Sequence, residues 1–466
     1  MTKTMPSLDF KTLQYSYKTG YTSTLEVIKN ILLEIEDRGQ DGVWIYKLPA
    51  TDILSRAEEL AVLTQMERDR LPLYGLPFTV KDCIDIAGLP TTSACPDFSY
   101  IAPKTHQAVQ AALDAGAILL GKTNMDQFAT GVVGVRTPYG IARNPFDDRY
   151  IPGGSSSGAA VSVSAGLCSF AFGSDTGGSG RVPASYNNVI GLKPTLGLFA
   201  RSQLVNASLT FDTVSIYALT ALDALNVLEA CQGVEPEDPY GRLTPEKKII
   251  KSITSSLKIA IPRKNLLNFF GNADAAILFN EGLDTLTNAG HELIEIDYDI
   301  FEATSMSMFE EPWLAERYAM VGKFIETNPN SVNETVRQII LSARNQTAEK
   351  SLNALYTLHR RAHKIRKAIA NVDLMVVPTL GTVYKIEDVL ADPILPNSTN
   401  GLYTNFVNMA DLAAIAVPNG FLPSGIPMGI SFIGPAFSDS FLATIANQFH
   451  RQRVEYLGAS TNYHPD

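Results

Sequence analysis

Two hydrophobic patterns alternate along this chain, one at the spacing of an amphipathic helix and one as short, uniformly apolar runs. Helical spacing covers four stretches: 22–38, 51–67, 105–115 and 273–289. The short apolar runs, which are typical of buried strands, are 77–81, 117–120, 169–173, 257–262, 292–296, 373–378 and 429–433. Strands that alternate with helices predict an α/β fold with helices covering both faces of a sheet.

The organisation of the chain predicts one large domain. Residues 313–371 are the most charged and helical region, with a break expected at Asn328-Pro-Asn, and we interpret them as a helical insert that covers a sheet edge or shapes a pocket. The sequence contains no repeat, low-complexity tract or flexible linker. We therefore assign 1–453 to a single domain and 454–466 to a loose C-terminal tail.

Composition narrows the range of partners. With 466 residues, 45% of them hydrophobic, the chain can bury a large core, and its net charge of −10 disfavours nucleic acid or an anionic membrane surface as the main partner. No apolar run approaches a membrane span, and the N-terminal segment has no apolar signal region. The four cysteines form no C-x-x-C pair, which indicates reduced structural thiols. Together these features predict a cytoplasmic enzyme without a membrane partner.

One motif match points to nucleotide binding. The segment Gly116-Ala-Ile-Leu-Leu-Gly121-Lys122-Thr123 fits the phosphate-binding P-loop expression G-x-x-x-x-G-K-[ST]. In a P-loop the intervening residues form a loop after a strand, whereas Ala-Ile-Leu-Leu favours the strand itself. We therefore interpret this match as a buried strand rather than a nucleotide site.

A second match points to a serine hydrolase with a histidine base. The segment Gly154-Ser-Ser156-Ser-Gly158 fits the G-x-S-x-G nucleophile elbow, which needs a strand leading directly into the turn. The preceding residues, Arg149-Tyr-Ile-Pro152, make a poor strand because proline interrupts it. The downstream histidines lie mostly on charged or amphipathic helical stretches, where a solvated or packed histidine is the ordinary case. The pattern therefore disfavours a triad centred on Ser156.

A third constellation joins Lys81, Ser155 and Ser179. Lys81 closes an apolar strand, and burial there would lower its pKa, so that a neutral amine can act as a general base. Ser179 follows the Thr-Gly-Gly run 176–178, whose successive N–H groups suit an oxyanion, and Ser155 in a second glycine turn suits a proton relay. Singly, each residue also fits a surface lysine or a helix N-cap serine. Their co-occurrence favours catalysis.

These residues resemble the amidase signature family. The resemblance is carried by Val80-Lys81-Asp82, by Gly153-Gly-Ser-Ser-Ser-Gly158, by Gly173-Ser-Asp-Thr-Gly-Gly-Ser-Gly-Arg181 and by the block 116–131. It implies an α/β fold with a mixed β-sheet enclosed by helices, without a metal or cofactor. It also implies that Ser179 is the nucleophile, that Ser155 is the bridging serine after a cis peptide and that Lys81 is the base. The implied oxyanion and substrate contacts are Thr176, Gly177, Gly178 and Gly131.

Within that family, the stretches 180–194, 315–318 and 404–408 are most similar to allophanate hydrolases. Allophanate is a urea with a carboxylate on one nitrogen, so its site needs a cation besides the oxyanion donors. Arg317 matches the family's carboxylate-binding arginine, whereas Phe309 stands where a tyrosine is usual and removes a hydroxyl hydrogen bond. A solvated helical arginine is the ordinary alternative for Arg317.

The resemblance thus implies an amidohydrolase that cleaves the terminal carboxamide of allophanate and releases ammonia and carbon dioxide. Its substrate would be a small amide bearing a carboxylate. The resemblance also implies a functional link to a urea carboxylase, and a homodimer is the default assembly. Two alternatives are another amidase-signature activity, namely a glutaminase subunit of a tRNA amidotransferase or an aliphatic amidase, and a non-catalytic binding protein on the same scaffold.

Overall fold

The apolar runs form strands of one mixed sheet in the computed structural model, which describes residues 5–245, 256–453 and 456–460. In these ranges eleven strands pair in the order β1-β5-β2-β6-β8-β7-β12-β13-β11-β9-β10, and β3 pairs separately with β4. The strands are β1 Trp44–Lys47, β2 Pro77–Lys81, β3 Pro90–Thr91, β4 Tyr100–Ile101, β5 Ile118–Thr123, β6 Phe170–Asp175, β7 Ile190–Lys193, β8 Thr213–Ala218, β9 Lys258–Pro262, β10 Glu292–Ile296, β11 Leu374–Pro378, β12 Leu412–Phe421 and β13 Pro427–Pro435.

Helices enclose this sheet, and the predicted α/β fold class is confirmed. The α-helices are α1 Phe10–Lys18, α2 Thr24–Arg38, α3 Ala50–Ala61, α4 Gln65–Arg68, α5 Gln107–Asp114, α6 Ser157–Ser164, α7 Val182–Tyr186, α8 Ala221–Cys231, α9 Ala273–Asn288, α10 Asp299–Ser307, α11 Glu311–Arg317, α12 Lys323–Thr327, α13 Glu334–Leu341, α14 Ala348–Ala368, α15 Ile386–Ala391, α16 Leu395–Asn400, α17 Asn405–Met409 and α18 Asp439–Arg453. None of the helices in the described ranges is long and apolar enough to cross a bilayer.

The helix predicted over 51–67 is divided in two. Helix α3 ends at Ala61, and Thr64 begins α4 with a capping box, in which its hydroxyl accepts from the Glu67 amide while the Glu67 carboxylate accepts from the Thr64 amide. Such a box marks a new helix start, so the apolar spacing continues across a break in the backbone.

The part of the sheet that organises the candidate site is the parallel trio of β5, β2 and β6. Val80 of β2 pairs with Phe172 of β6, so the two strands run in the same direction and end at the same edge. This register brings Lys81, the last residue of β2, level with the end of β6. Helix α6, which is built of small residues, is buried and packs against both strands. Parallel strands with both faces covered require such a continuous apolar lining.

The segment that matches a P-loop forms strand β5, as the apolar run predicts. Lys122 is fully buried, and its Nζ lies 2.9 Å from Asp82 Oδ1 and donates to Thr91 Oγ1 and the Pro90 carbonyl. Lys122 therefore forms a buried ion pair with Asp82 instead of a phosphate contact. All four cysteines are buried and unbridged, which confirms that they are structural thiols.

Residues 313–371 are mostly helical, and a 3₁₀ turn at Pro329–Ser331 lies where the break was expected. Its first helix, α11, continues through a π-helical turn at Tyr318–Gly322. The Trp313 ring packs edge-on against Phe211, with ring centroids 5.2 Å apart. This contact ties α11 to the loop that precedes β8.

Part of the segment that we predict to be a loose tail is packed against the domain. Leu457 is buried, the Ala459 amide donates to the Ser164 carbonyl, and the Asn188 side chain donates to the Gly458 carbonyl. Residues 454–455 and 461–466 lie outside the described residues. These contacts attach 457–459 to the C-terminal end of α6.

Two buried carboxyls, Asp9 at the start of α1 and Asp223 in the first turn of α8, give a testable dependence of stability on pH. Burial, followed by the negative charge of Asp9, raises the pKa of Asp223 from 3.8 to about 8. The folded protein therefore binds more protons than the unfolded chain in this window, and this group's contribution to stability falls as the pH rises from 3.8 to about 8. Asp223→Asn mimics the neutral acid, so urea unfolding across this window should show a shallower decline; an unchanged slope contradicts the assignment.

Candidate active site

Lys81 is buried at the edge where β2 and β6 end. Its Nζ lies 2.7 Å from Ser155 Oγ and 2.8 Å from Ser174 Oγ, both at hydrogen-bond distance. Burial lowers the pKa of Lys81, and the charges of Cys83 and nearby aspartates oppose this shift only in part. Both distances join Lys81 to hydroxyl groups of the described residues, and such neutral partners suit an uncharged amine.

Ser155 reaches Lys81 because the residue before it, Gly154, has no side chain and can lie close to neighbouring atoms. The peptide bond between Gly154 and Ser155 is cis. A Cβ at Gly154 would lie 2.0 Å from Asp126 Oδ2, so no other residue fits there. The Asp126 amide in turn donates to the Ser155 carbonyl at 3.0 Å. Asp126 thus fixes the serine loop from the opposite side.

Ser179 lies in the turn after β6, and a buried carboxylate shapes that turn. Asp175 accepts from the amides of Gly178 and Gly180, each at 2.9 Å, and its carboxylate pairs with Arg181 at the same distance. The Tyr217 hydroxyl donates to the Ser179 carbonyl at 2.6 Å. Ser179 itself is only 2% exposed. Its backbone is therefore held by contacts on both sides of the turn.

These contacts revise one expected oxyanion donor. The Gly178 N–H is directed to Asp175, so it is engaged within the turn and not free to hold an oxyanion, contrary to the sequence-based expectation. The amides of Gly177 and Ser179 have no hydrogen-bond acceptor among the described residues. The Thr176 hydroxyl donates to Asp212, which fixes the start of the turn to the loop before β8.

Arg317 lies at the C-terminal end of α11, and Phe309 lies in the turn before that helix. The Arg317 side chain is partly buried, and its Nη1 is fully buried without a hydrogen-bond partner in the described ranges. Burial lowers the pKa of Arg317, and the charges of Asp212 and Glu316 raise it. The same Asp212 accepts from Thr176, so Arg317 and the Ser179 turn have a carboxylate neighbour in common.

The loop that contains Gly131 closes another side of this region. Gly131 has φ +141°, and a Cβ there would lie 2.9 Å from Arg136 Nη1 and 3.1 Å from Asp126 Oδ2. The backbone at Gly131 is thus confined between a guanidinium and the carboxylate that fixes the Ser155 loop. Within the described ranges, no group of three or more His, Cys, Asp or Glu side chains is arranged to hold a metal ion.

The structure brings Lys81 and Ser155 together directly, and it places Ser179 in the turn that follows β6. Sequence reasoning missed Ser174, which contacts Lys81, and Asp126, which positions the Ser155 loop. Ser174 was detectable in principle, because it precedes Asp175 at the end of a strand parallel to β2. Ser156, the centre of the elbow match, donates to the Ser174 carbonyl at 3.1 Å and so supports the backbone.

The mixed sheet enclosed by helices, with a buried lysine bonded to Ser155, agrees with the fold that the resemblance to amidases implies. The chain belongs to the amidase family, whose sequence profile, described as Amidase, matches residues 27–442. This membership makes it a hydrolase that acts on amide C–N bonds.

Three relatives show where the chain lies within that family. It is 38% identical over 440 residues to urea amidolyase of Saccharomyces cerevisiae. That alignment covers 94% of this chain but only 24% of the yeast protein. Among solved structures, allophanate hydrolase of Kluyveromyces lactis is 38% identical with a TM-score of 0.89, covering 95% of this chain and 73% of that one. A glutamyl-tRNA(Gln) amidotransferase subunit from Prochlorococcus marinus is 30% identical, covering 95% of this chain and 98% of that protein. The chain thus spans about a quarter of the length of the urea amidolyase that it matches.

Proposed function

We propose that this chain hydrolyses the terminal amide of allophanate. The observation that carries the proposal is the buried, unpartnered Nη1 of Arg317, which has Asp212 as a charged neighbour in common with the Ser179 turn. A guanidinium without an anion partner suits a substrate that bears a carboxylate next to its scissile amide. The 38% identity to an allophanate hydrolase and to a urea amidolyase supports the same substrate.

The proposed first half-reaction forms an acyl-enzyme. Neutral Lys81 accepts the Ser155 hydroxyl proton across the 2.7 Å contact, and Ser155 takes the proton of Ser179 as the Ser179 oxygen attacks the carboxamide carbon. The amides of Gly177 and Ser179 hold the oxyanion. When the intermediate collapses, the C–N bond breaks and the proton returns through Ser155 to the leaving nitrogen, which departs as ammonia.

The second half-reaction transfers the acyl group to water. The same relay removes a proton from the water, whose oxygen attacks the ester carbon, and Ser179 leaves with its proton restored. The product carries two carboxylates on one nitrogen and loses carbon dioxide spontaneously. Loss of both carboxyl groups, with protons taken up from water, leaves a second ammonia. One allophanate, one water and one proton thus give two ammonia and two carbon dioxide.

The chemistry of allophanate also suggests how the substrate is supplied. A carboxylation of urea produces a urea bearing a carboxylate, so we propose a functional link to a urea carboxylase. This link is supported by the similarity to a urea amidolyase about four times the length of this chain. A cytoplasmic location and a homodimeric assembly remain predictions from the sequence.

The activity is tested by ammonia release from four substrates: allophanate, malonamate, biuret and glutamine. We expect the highest kcat/KM on allophanate, followed by malonamate, which keeps the carboxylate beside the amide. The alternative, a glutaminase subunit, is favoured by the coverage of 98% of a glutamyl-tRNA(Gln) amidotransferase subunit. If glutamine is the single substrate of the four that releases ammonia, and does so only when partner chains are added, that alternative would replace our proposal.

Arg317→Gln should selectively weaken the turnover of carboxylated amides. Losing one charge-assisted contact is expected to raise KM for malonamate by roughly 10- to 100-fold, with a smaller effect on the neutral amide propionamide. The control is Arg149→Gln, which removes an equal charge from an exposed pair with Asp147. Steady-state kinetics on both amides decide the matter, and equal losses on both would exclude Arg317 as the carboxylate contact.

A further inference from the structure

A second buried arginine lies beside the predicted substrate contact at Gly131. Arg136 is 2% exposed, and its Nη1 and Nη2 donate to the carbonyls of Thr130 and Pro393. Its Nε is buried and has no hydrogen-bond partner among the described residues. A buried guanidinium whose hydrogen bonds all go to neutral carbonyls, with one donor unused, can still accept an anion.

The nearest carboxylate does not neutralise this charge through an ion pair. Asp126 uses Oδ2 to accept from the amides of Val133 and Gly134, and Oδ1 to accept from the Arg136 amide. Within the described ranges neither Arg136 nor Arg317 forms an ion pair. Asp126 therefore organises the backbone of the 131–136 loop, while the Arg136 side chain extends past Gly131.

Arg317 adds a second positive charge to the same neighbourhood. Burial lowers the pKa of Arg136, Asp126 opposes this shift, and the positive charge of Arg317 lowers the pKa further. Each arginine has one buried nitrogen without a hydrogen-bond acceptor among the described residues, Nε in Arg136 and Nη1 in Arg317. Two like charges repel each other, so an anion bound by both arginines would relieve the repulsion and use the unpaired donors.

We propose that Arg136 is a second carboxylate-binding residue, which together with Arg317 determines specificity for a substrate carboxylate beside the scissile amide. The inference rests on the proposed function and adds a residue to it. The unused Nε of Arg136 is a charge-assisted donor of the kind that binds a carboxylate. Gly131 permits this arrangement, because any side chain there would approach Arg136 Nη1 to 2.9 Å.

The test compares Arg136→Gln and Arg136→Lys with wild type on malonamate and propionamide. We expect Arg136→Gln to raise KM for malonamate by roughly tenfold or more, and to weaken inhibition by malonate in parallel. The effect on propionamide should be at least several-fold smaller, and Arg136→Lys should recover part of the loss because it restores the charge. Arg149→Gln again controls for net charge, and circular dichroism verifies folding.

The outcomes separate this inference from the proposed function. Equal losses on both amides would make Arg136 a purely structural residue and overturn the inference, as would unchanged KM and malonate inhibition. If wild type releases ammonia from propionamide or glutamine but from neither allophanate nor malonamate, the proposed function fails. Malonate inhibition of the amide that is hydrolysed would then still report whether Arg136 binds a carboxylate.

Discussion

Ser179→Ala is expected to lower ammonia release by roughly 10⁴- to 10⁶-fold, because a seryl ester can no longer form. The fold should persist, since the contacts that hold this turn run through Asp175 and through the Ser179 carbonyl, which the substitution retains. The rate with malonamate and the mass of a fluorophosphonate adduct are the measurements. Wild type should gain one adduct on Ser179, and the variant should gain none.

The matched control for this variant is Ser157→Ala. Ser157 is a buried serine of the other glycine-serine cluster, 153–158, and its hydroxyl makes only a 3.4 Å contact with the Asn124 carbonyl. The Ser157→Ala variant should retain both turnover and fluorophosphonate labelling of Ser179. A Ser179→Ala protein that keeps more than about a hundredth of wild-type activity would require a different nucleophile.

Lys81→Met is expected to lower kcat by roughly 10²- to 10⁴-fold, the usual contribution of a general base. Methionine has a similar length and removes the amine that contacts Ser155. In wild type, burial lowers the pKa of Lys81, so kcat/KM should fall as the pH drops through that lowered pKa and the amine becomes protonated. The acid limb of the pH profile should therefore be absent from the residual activity of Lys81→Met.

Lys193→Met provides a control for removing a buried lysine. Its Nζ donates to the carbonyls of Pro194 and Leu412, and burial lowers its pKa to about 8. This variant should lose stability in thermal unfolding yet keep the wild-type acid limb. A loss below about tenfold in Lys81→Met, or an unchanged acid limb, would exclude Lys81 as the base.

Strands were predictable where a uniform apolar run coincided with the strand. The runs 77–81 and 292–296 match β2 and β10 residue for residue. Strands β7 and β8 were not predicted, because glycine or serine interrupts their apolar runs, and β12 was missed although its first six residues are uniformly apolar. Their pairing with each other and with neighbours of the sheet stabilises them, and such pairing depends on residues far away in the sequence.

The candidate site was predictable as a set of residues but not as a set of contacts. The motifs identify Lys81, Ser155 and Ser179, whereas the contact between Lys81 and Ser174 arises only when β2 and β6 run parallel. The engagement of the Gly178 amide by Asp175 depends on how the turn closes. Arg136 was not identified either, because an arginine in a loop carries no sequence signal of burial.

Helix α11, which carries Arg317, and the turn with Phe309 lie more than a hundred residues after the serine turns. The residues proposed for bond cleavage all fall within 81–179, on strand β2 and in the turns that precede α6 and follow β6. The residues proposed for bond cleavage and the proposed carboxylate contact Arg317 are therefore encoded in separate stretches of the gene. If Arg317 binds the substrate carboxylate as proposed, substitutions in 309–317 can change which amide is hydrolysed while the proposed proton relay stays intact.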